Sequence, residues 1–146
     1  MSKQKSPFNH GDKEARHRRA CERLGTEDPR CILCHEINPH ALQLHHVAGR
    51  AYDEDELVAL CHNHHARVSD GQKDHPLKIP DCINPLEGLG HFDRGLAEML
   101  DTAIEDLGPH PQREFLIYLS SKLKLNGALL IGAASNDRQN SLWRQK

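Results

Sequence analysis

Two residue pairs with zinc-ligand spacing, Cys31-x2-Cys34 and Cys61-x2-His64, stand 26 residues apart in this 146-residue chain. They bracket a His45-His46 pair, and His65 follows the second pair immediately. Zinc takes four thiolate or imidazole donors in a tetrahedron, so the two outer pairs make a Cys3His set for one structural Zn2+. His35 and His62 each follow a cysteine directly and point the wrong way to serve the same tight turn. Three histidines are then left over. Neighbouring residues of a strand face opposite sides, so His45 and His46 are expected to have different tasks: one can ligate a metal beside His65 while the other reaches a substrate.

These side chains need elements to hold them. Cys31-Ile32-Leu33-Cys34 has the form of a zinc knuckle, Asn38-Pro39 breaks the chain, and Leu42-Gln43-Leu44-His45-His46-Val47 alternates as a short strand. A charged surface loop at residues 52–56 and an apolar piece from Leu57 to Leu60 lead into Cys61. The spacing predicts a helix from near His62 or His64 through Arg67, which would set His65 against the end of the strand.

Ahead of this centre, residues up to about Gly11 are expected to be a disordered tail, and a short helix is predicted from Asp12 as N-cap to Leu24, stopped by Gly25. Its face Lys13, Arg16, Arg19 and Arg23 could follow a phosphate backbone or be an ordinary solvated surface. Beyond Gly71, Pro76, Pro80 and Pro85 predict an irregular linker. Leu96, Met99, Leu100, Ala103, Ile104 and Leu107 then form one helical stripe between Asp93 and Leu107. A second helix is predicted from about Pro111 to Leu125, with Phe115, Leu116, Leu119 and Leu123 on one side and Asn126-Gly127 as its end. The apolar run at 127–134 would pack on this hairpin, and the tail from Ser135 is expected to be free. The hairpin must bury its stripes on the metal module, on itself or on a second copy, a homodimer through the C-terminal helices.

Only 37% of the chain is hydrophobic and 4% aromatic, which is lean for one core and favours a metal staple. Five cysteines, an odd number with three at ligand spacing, argue against a disulfide framework; Cys21 and Cys82 read as small buried residues. The start MSKQKSPFNH is polar, and no apolar run reaches membrane-spanning length, so the expectation is a soluble, cytoplasmic protein. Net charge is −2, yet residues 1–30 carry eight Lys/Arg against five Asp/Glu, and residues 31–75 three against seven. A basic arm thus precedes an acidic centre that holds eight of the twelve histidines.

On CILC, LHHVAGR and LCHNHH, in that order, the chain resembles the HNH endonuclease family, whose fold is a ββα-metal finger; the resemblance covers roughly residues 30–70. The first signature histidine falls on His46, the middle asparagine position on Glu56 and the last histidine on His65. Ser69 stands where some members carry a further metal-binding histidine. The resemblance implies metal-assisted hydrolysis of DNA phosphodiester bonds: His46 as general base, His45 and His65 holding one catalytic divalent ion (Mg2+, Mn2+, Ni2+ or Zn2+), and products with a 5′ phosphate. Arg50 and Arg67 flank the site and could clamp phosphate or pair with the acidic loop at 53–56; Arg16 and Arg19 would add contacts to double-stranded DNA.

The expected fold is therefore a small α+β one. It comprises a tail and basic helix over 1–30, a zinc-stapled ββα-metal finger over 31–75, a linker over 76–92, and a C-terminal helical hairpin with a tail over 93–146. The alternative to an endonuclease is a catalytically inactive zinc-finger module that binds nucleic acid. A third possibility makes the C-terminal hairpin the working surface.

Overall fold

The computed structural model describes residues 10–75 and 84–143, with side chains over 12–75 and 84–137. The expected tail over residues 1–9, the part of the linker at 76–83 and residues 144–146 lie outside the described residues. Helix α1 runs His10–Leu24, so Asp12 lies inside its first turn and does not begin it. Its end is the expected one. Gly25 adopts φ +70°, Gly25 N–H bonds the Glu22 carbonyl and Thr26 N–H the Cys21 carbonyl, the two bonds of a Schellman cap. Ala20, Cys21 and Leu24 are buried. Arg23, read as part of a face that either follows a phosphate backbone or is solvated, instead donates to the carbonyls of Pro39 and Leu42 and fastens α1 to the next element.

A 3-10 turn, Pro39–Ala41, capped by the Asn38 side chain, feeds strand β1, Leu42–His46. Strand β2, Leu57–Cys61, pairs with it antiparallel, with Leu42 opposite Cys61 and His46 opposite Leu57. A two-stranded sheet is marginal on its own in water. Here helix α2, His62–Gln72, starts directly after β2 and folds back over the pair, so β1, β2 and α2 make one unit. Leu42, Leu60 and Val68 are completely buried between them.

Helix α3, Pro85–Leu107, begins eight residues before the expected Asp93 and absorbs part of the expected linker. Pro85 occupies its first turn, where a missing N–H costs nothing, and the Asn84 side chain accepts from Leu86 N–H as N-cap. Because α3 packs on the unit of β1, β2 and α2 on one side and on α4 on the other, its buried positions outnumber the predicted stripe. Gly95 lies against the main chain after β1, where any Cβ would overlap the Val47 carbonyl oxygen.

Helix α4, Arg113–Trp143, continues through the predicted stop at Asn126-Gly127, through the apolar run at 127–134 and into the expected tail. Gly127 is a contact rather than a turn: it crosses Gly90 of α3 so closely that a Cβ on either would overlap the other's carbonyl. Ser120, Gly127 and Ala134, seven residues apart, are the buried seam, and Phe115, placed on the buried side by hydropathy, is 63% exposed. Large side chains cannot enter so close a crossing, so they turn outward. Phe115, Tyr118, Leu125 and Leu129 form that outward face. Polar ties complete the hairpin: Asp101 accepts from Ser120 and Lys124, and Asn126 donates to Asp93. Among the described residues no helix is long and apolar enough to cross a membrane.

The polar burial in α3 has a consequence for acid stability. His91 is 1% exposed, its ring stacks on Tyr52 with centroids 3.6 Å apart, and neither ring nitrogen has a hydrogen-bond partner. Burial pulls its pKa down to about 4, with His75 and Arg94 adding to the shift and Glu87 opposing it. An unfolded histidine titrates near about 6.5, so between that pH and 4 the unfolded chain takes a proton that the folded one refuses. Stability therefore falls as pH falls through this window, by on the order of 3 kcal/mol from His91. Unfolding midpoints from pH 7 to 4.5 should show a shallower slope for His91→Phe than for the wild type; equal slopes would contradict the assignment.

Candidate metal centre and histidine site

The knuckle is built by main-chain bonds. His35 N–H donates to the Cys31 carbonyl at 2.9 Å and Cys31 N–H to the Glu36 carbonyl at 2.9 Å, while Ile32 N–H reaches Ala59 of β2. Closing the turn puts His35 at φ +61°, an uncommon conformation for a residue with a Cβ, and its exposed side chain takes no part in the cluster. Across from the knuckle, Cys61 ends β2 and His64 lies in the first turn of α2.

Cys31, Cys34, Cys61 and His64 offer ligand atoms that all lie within 4.8 Å of one another, close enough to hold a metal ion. The edges of the cluster test which ion suits. A tetrahedron with Zn–S of about 2.3 Å and Zn–N of about 2.0 Å has S···S edges of about 3.8 Å and S···N edges of about 3.5 Å. Cys34 Sγ and Cys61 Sγ are 3.8 Å apart, and His64 Nδ1 is 3.4 Å from Cys31 Sγ and 3.2 Å from Cys61 Sγ. The donor set and its spacing fit zinc.

The thiols are unequal. Burial opposes ionisation of Cys31, but backbone amides of Cys61, Cys34 and Leu33, with His64, outweigh it and bring the pKa down to about 6. Partial desolvation and the neighbouring Cys31 and Cys61 sulfurs push Cys34 up to about 11, against the Glu36 amide. A cation held by the cluster would offset the charge of neighbouring thiolates.

The sheet register carries the other histidines to the opposite end. Leu42 faces Cys61 at the metal end, and His45 and His46 sit opposite Val58 and Leu57, where β1 enters the loop to β2. His45 is 3% exposed and its Nε2 has no hydrogen-bond partner. The His65 ring on α2 stands edge-on to it, with centroids 5.2 Å apart. Burial, then the His65 and His46 rings, lower the His45 pKa to about 4; burial and His62 lower that of His65, opposed by its hydrogen bond to the Leu44 carbonyl. Both shifts favour neutral imidazole, the form that ligates metal. A buried imidazole nitrogen with no partner, beside a second neutral imidazole, is a fitting pair of donors for a divalent ion. His46 is half-buried on the other side of the strand.

Around His46 the structure reveals residues that spacing alone gave no reason to select. Gln72, at the end of α2, donates its side-chain amide to the carbonyls of His46 at 3.2 Å and Val47 at 2.9 Å. Asp53 Oδ1 accepts from Asp55 N–H and Glu56 N–H, closing the loop, and Val47 N–H bonds the Glu56 carbonyl. Glu56, where the resemblance set the middle asparagine, is exposed and takes part through its main chain. Gln72 and Asp53 thus tie the main chain around His46 and Glu56. Ser69 follows His65 by four residues on α2 and is half-buried.

The arginines separate into two groups. Arg16, Arg19 and Arg50 are exposed. Arg67 lies two residues beyond His65, hence on the far side of α2. There it is held by Asp106 and Glu105, each at 2.7 Å, and by the Thr102 carbonyl. The acidic partners of Arg67 are on α3 and not in the loop at 53–56.

Comparison with protein-family models, with curated proteins and with solved structures found no match to this chain.

Proposed function

We propose that the chain is a metal-dependent endonuclease of the HNH type, in which β1, β2 and α2 form a ββα-metal finger stapled by zinc and His46 is the general base. The observation that carries this reading is the second histidine group. A structural zinc module needs its four outer ligands but gives no reason to bury His45 with an unpartnered Nε2 against His65 at the far end of the strand.

His46 takes the proton from the water that attacks phosphorus; imidazole is the side chain suited to moving a proton near neutral pH. His45 and His65 are the donors for a divalent ion, which when bound supplies Lewis-acid stabilisation of the charge on phosphate and on the departing 3′ oxygen. Gln72 fixes the main chain that carries His46, so the ring approaches phosphate from one direction. Arg50, exposed in the turn after His46, and Arg16 and Arg19 on α1 contribute contacts to double-stranded DNA that weaken as salt rises. Arg67 is left out of this set because α3 holds it.

The test is incubation of the full chain with supercoiled plasmid and Mg2+, Mn2+ or Ni2+ over a range of salt. Nicked product with 5′ phosphate ends is the expected result. Zinc-loaded protein that retards DNA on a gel yet nicks with none of the three metals would be a binding module instead. Gln72→Ala is expected to lower kcat by roughly 10- to 100-fold while KM stays near the wild-type value, because it misplaces a catalytic group without touching substrate.

A further inference from the structure

We propose that Asp106, in the last turn of α3, is an outer-sphere partner of the zinc site, and that through it the bound metal and the C-terminal hairpin are held together. This goes beyond the nuclease reading and stands without it.

The geometry assigns both nitrogens of His64. Its Nδ1 faces Cys31 Sγ and Cys61 Sγ, so Nδ1 is the ligating atom. Its Nε2 lies 2.7 Å from Asp106 Oδ2, with the imidazole almost fully buried. An imidazole that gives Nδ1 to a cation must keep its proton on Nε2, and that N–H needs an acceptor when it is buried. Asp106 is that acceptor. It sets the tautomer that presents Nδ1 to the metal, fixes the ring plane and makes the ligating nitrogen a stronger donor.

Asp106 is itself positioned. Its second oxygen accepts from Arg67 Nη1 at 2.7 Å, and the same guanidinium reaches Glu105 and the Thr102 carbonyl one turn earlier on α3. Both donors, His64 and Arg67, come from α2, and all the acceptors come from α3. The Arg67 contacts do not depend on which His64 nitrogen carries the proton. The His64 contact differs, because only metal on Nδ1 makes Nε2–H its obligatory donor. The metal thereby selects the state in which the hairpin is docked.

The experiment uses the full zinc-loaded chain and four proteins: wild type, Asp106→Ala, Asp106→Asn and Glu105→Gln. Zinc affinity is read by competition with a chromophoric chelator, and the His64 side-chain 1H–15N signals are recorded at saturating zinc. Asp106→Ala is expected to weaken zinc by about 10- to 100-fold, and Asp106→Asn by a smaller factor, with the Nε2–H signal moving upfield in both. Glu105→Gln, which removes an Arg67 partner and leaves His64 untouched, should keep wild-type affinity and the wild-type signal. The Asn variant preserves shape, so it decides the matter if the Ala variant does not fold. Zinc affinity within about twofold of wild type in Asp106→Asn together with an unmoved His64 signal would overturn the proposal. So would equal effects in Glu105→Gln, which would make the role of Asp106 one of helix docking alone.

Discussion

Alanine at position 46 is expected to lower plasmid nicking by about 10²- to 10⁴-fold while zinc content and the far-ultraviolet spectrum stay those of the wild type. The separation of these readouts follows from the sheet. His46 lies at the loop end of β1, four residues from Leu42, which is the partner of Cys61 of the Cys/His cluster. Removing its ring leaves the Gln72 bonds intact, because those go to main-chain carbonyls. The fold therefore has no reason to notice. His45→Ala and His65→Ala should behave differently: in the proposed mechanism each removes a donor to the divalent ion, so their activity should recover in part as that ion is raised, whereas His46→Ala should not respond. Nicking by His46→Ala at the wild-type rate would remove the general base from the mechanism and return the site to a binding role.

What the sequence disclosed and what it hid divide along a physical line. The grouping of Cys31, Cys34, Cys61 and His64 was legible because a tight turn shaped for one ion imposes a fixed local spacing, and that spacing survives whatever the rest of the chain does. Strand β1 was legible from alternation, and the middle of α3 from its stripe. The helix ends were not. Pro85 reads as a breaker in isolation, yet at a first helical turn behind Asn84 it begins α3. Asn126-Gly127 reads as a stop, yet Gly127 is needed because the Gly90 backbone leaves no room for a side chain. In both cases the local residue type is shared by two situations and the tertiary contact decides between them.

The positioning residues were hidden for a different reason. Gln72 meets His46 and Asp106 meets His64 across separations of 26 and 42 residues, and a glutamine or an aspartate near a helix end carries no pattern that marks it. Hydropathy also selected one stripe of α3, although that helix is buried on two sides. His91, Asp93 and Thr102 are covered by protein where a single-faced helix would expose them.

Zinc removal should have the largest effect on the fold. Stripping the metal with a strong chelator, or replacing Cys31 by alanine, is expected to unfold the unit of β1, β2 and α2 at room temperature, since structural zinc contributes roughly 10–16 kcal/mol of apparent binding energy to small modules. The apolar alternative is thin. The buried cluster that would have to hold two strands and α2 without metal consists of Leu24, Cys31, Leu42, Val47, Leu60, Val68 and Met99, and Cys31 itself belongs to the Cys/His cluster. Without the cation, three thiols and an imidazole lie within 4.8 Å of one another with nothing to balance a second thiolate. Helices α3 and α4 pack chiefly on each other, so much of the helical signal should persist while trypsin gains access at Arg30 and Arg50. Cys21→Ser is the control: Cys21 is a buried residue of α1 and lies outside the cluster, so zinc binding should be unchanged and only a small loss of stability is expected. A Cys31→Ala protein that keeps zinc-independent protease resistance across residues 25–75 would show that the sheet and α2 stand without the staple.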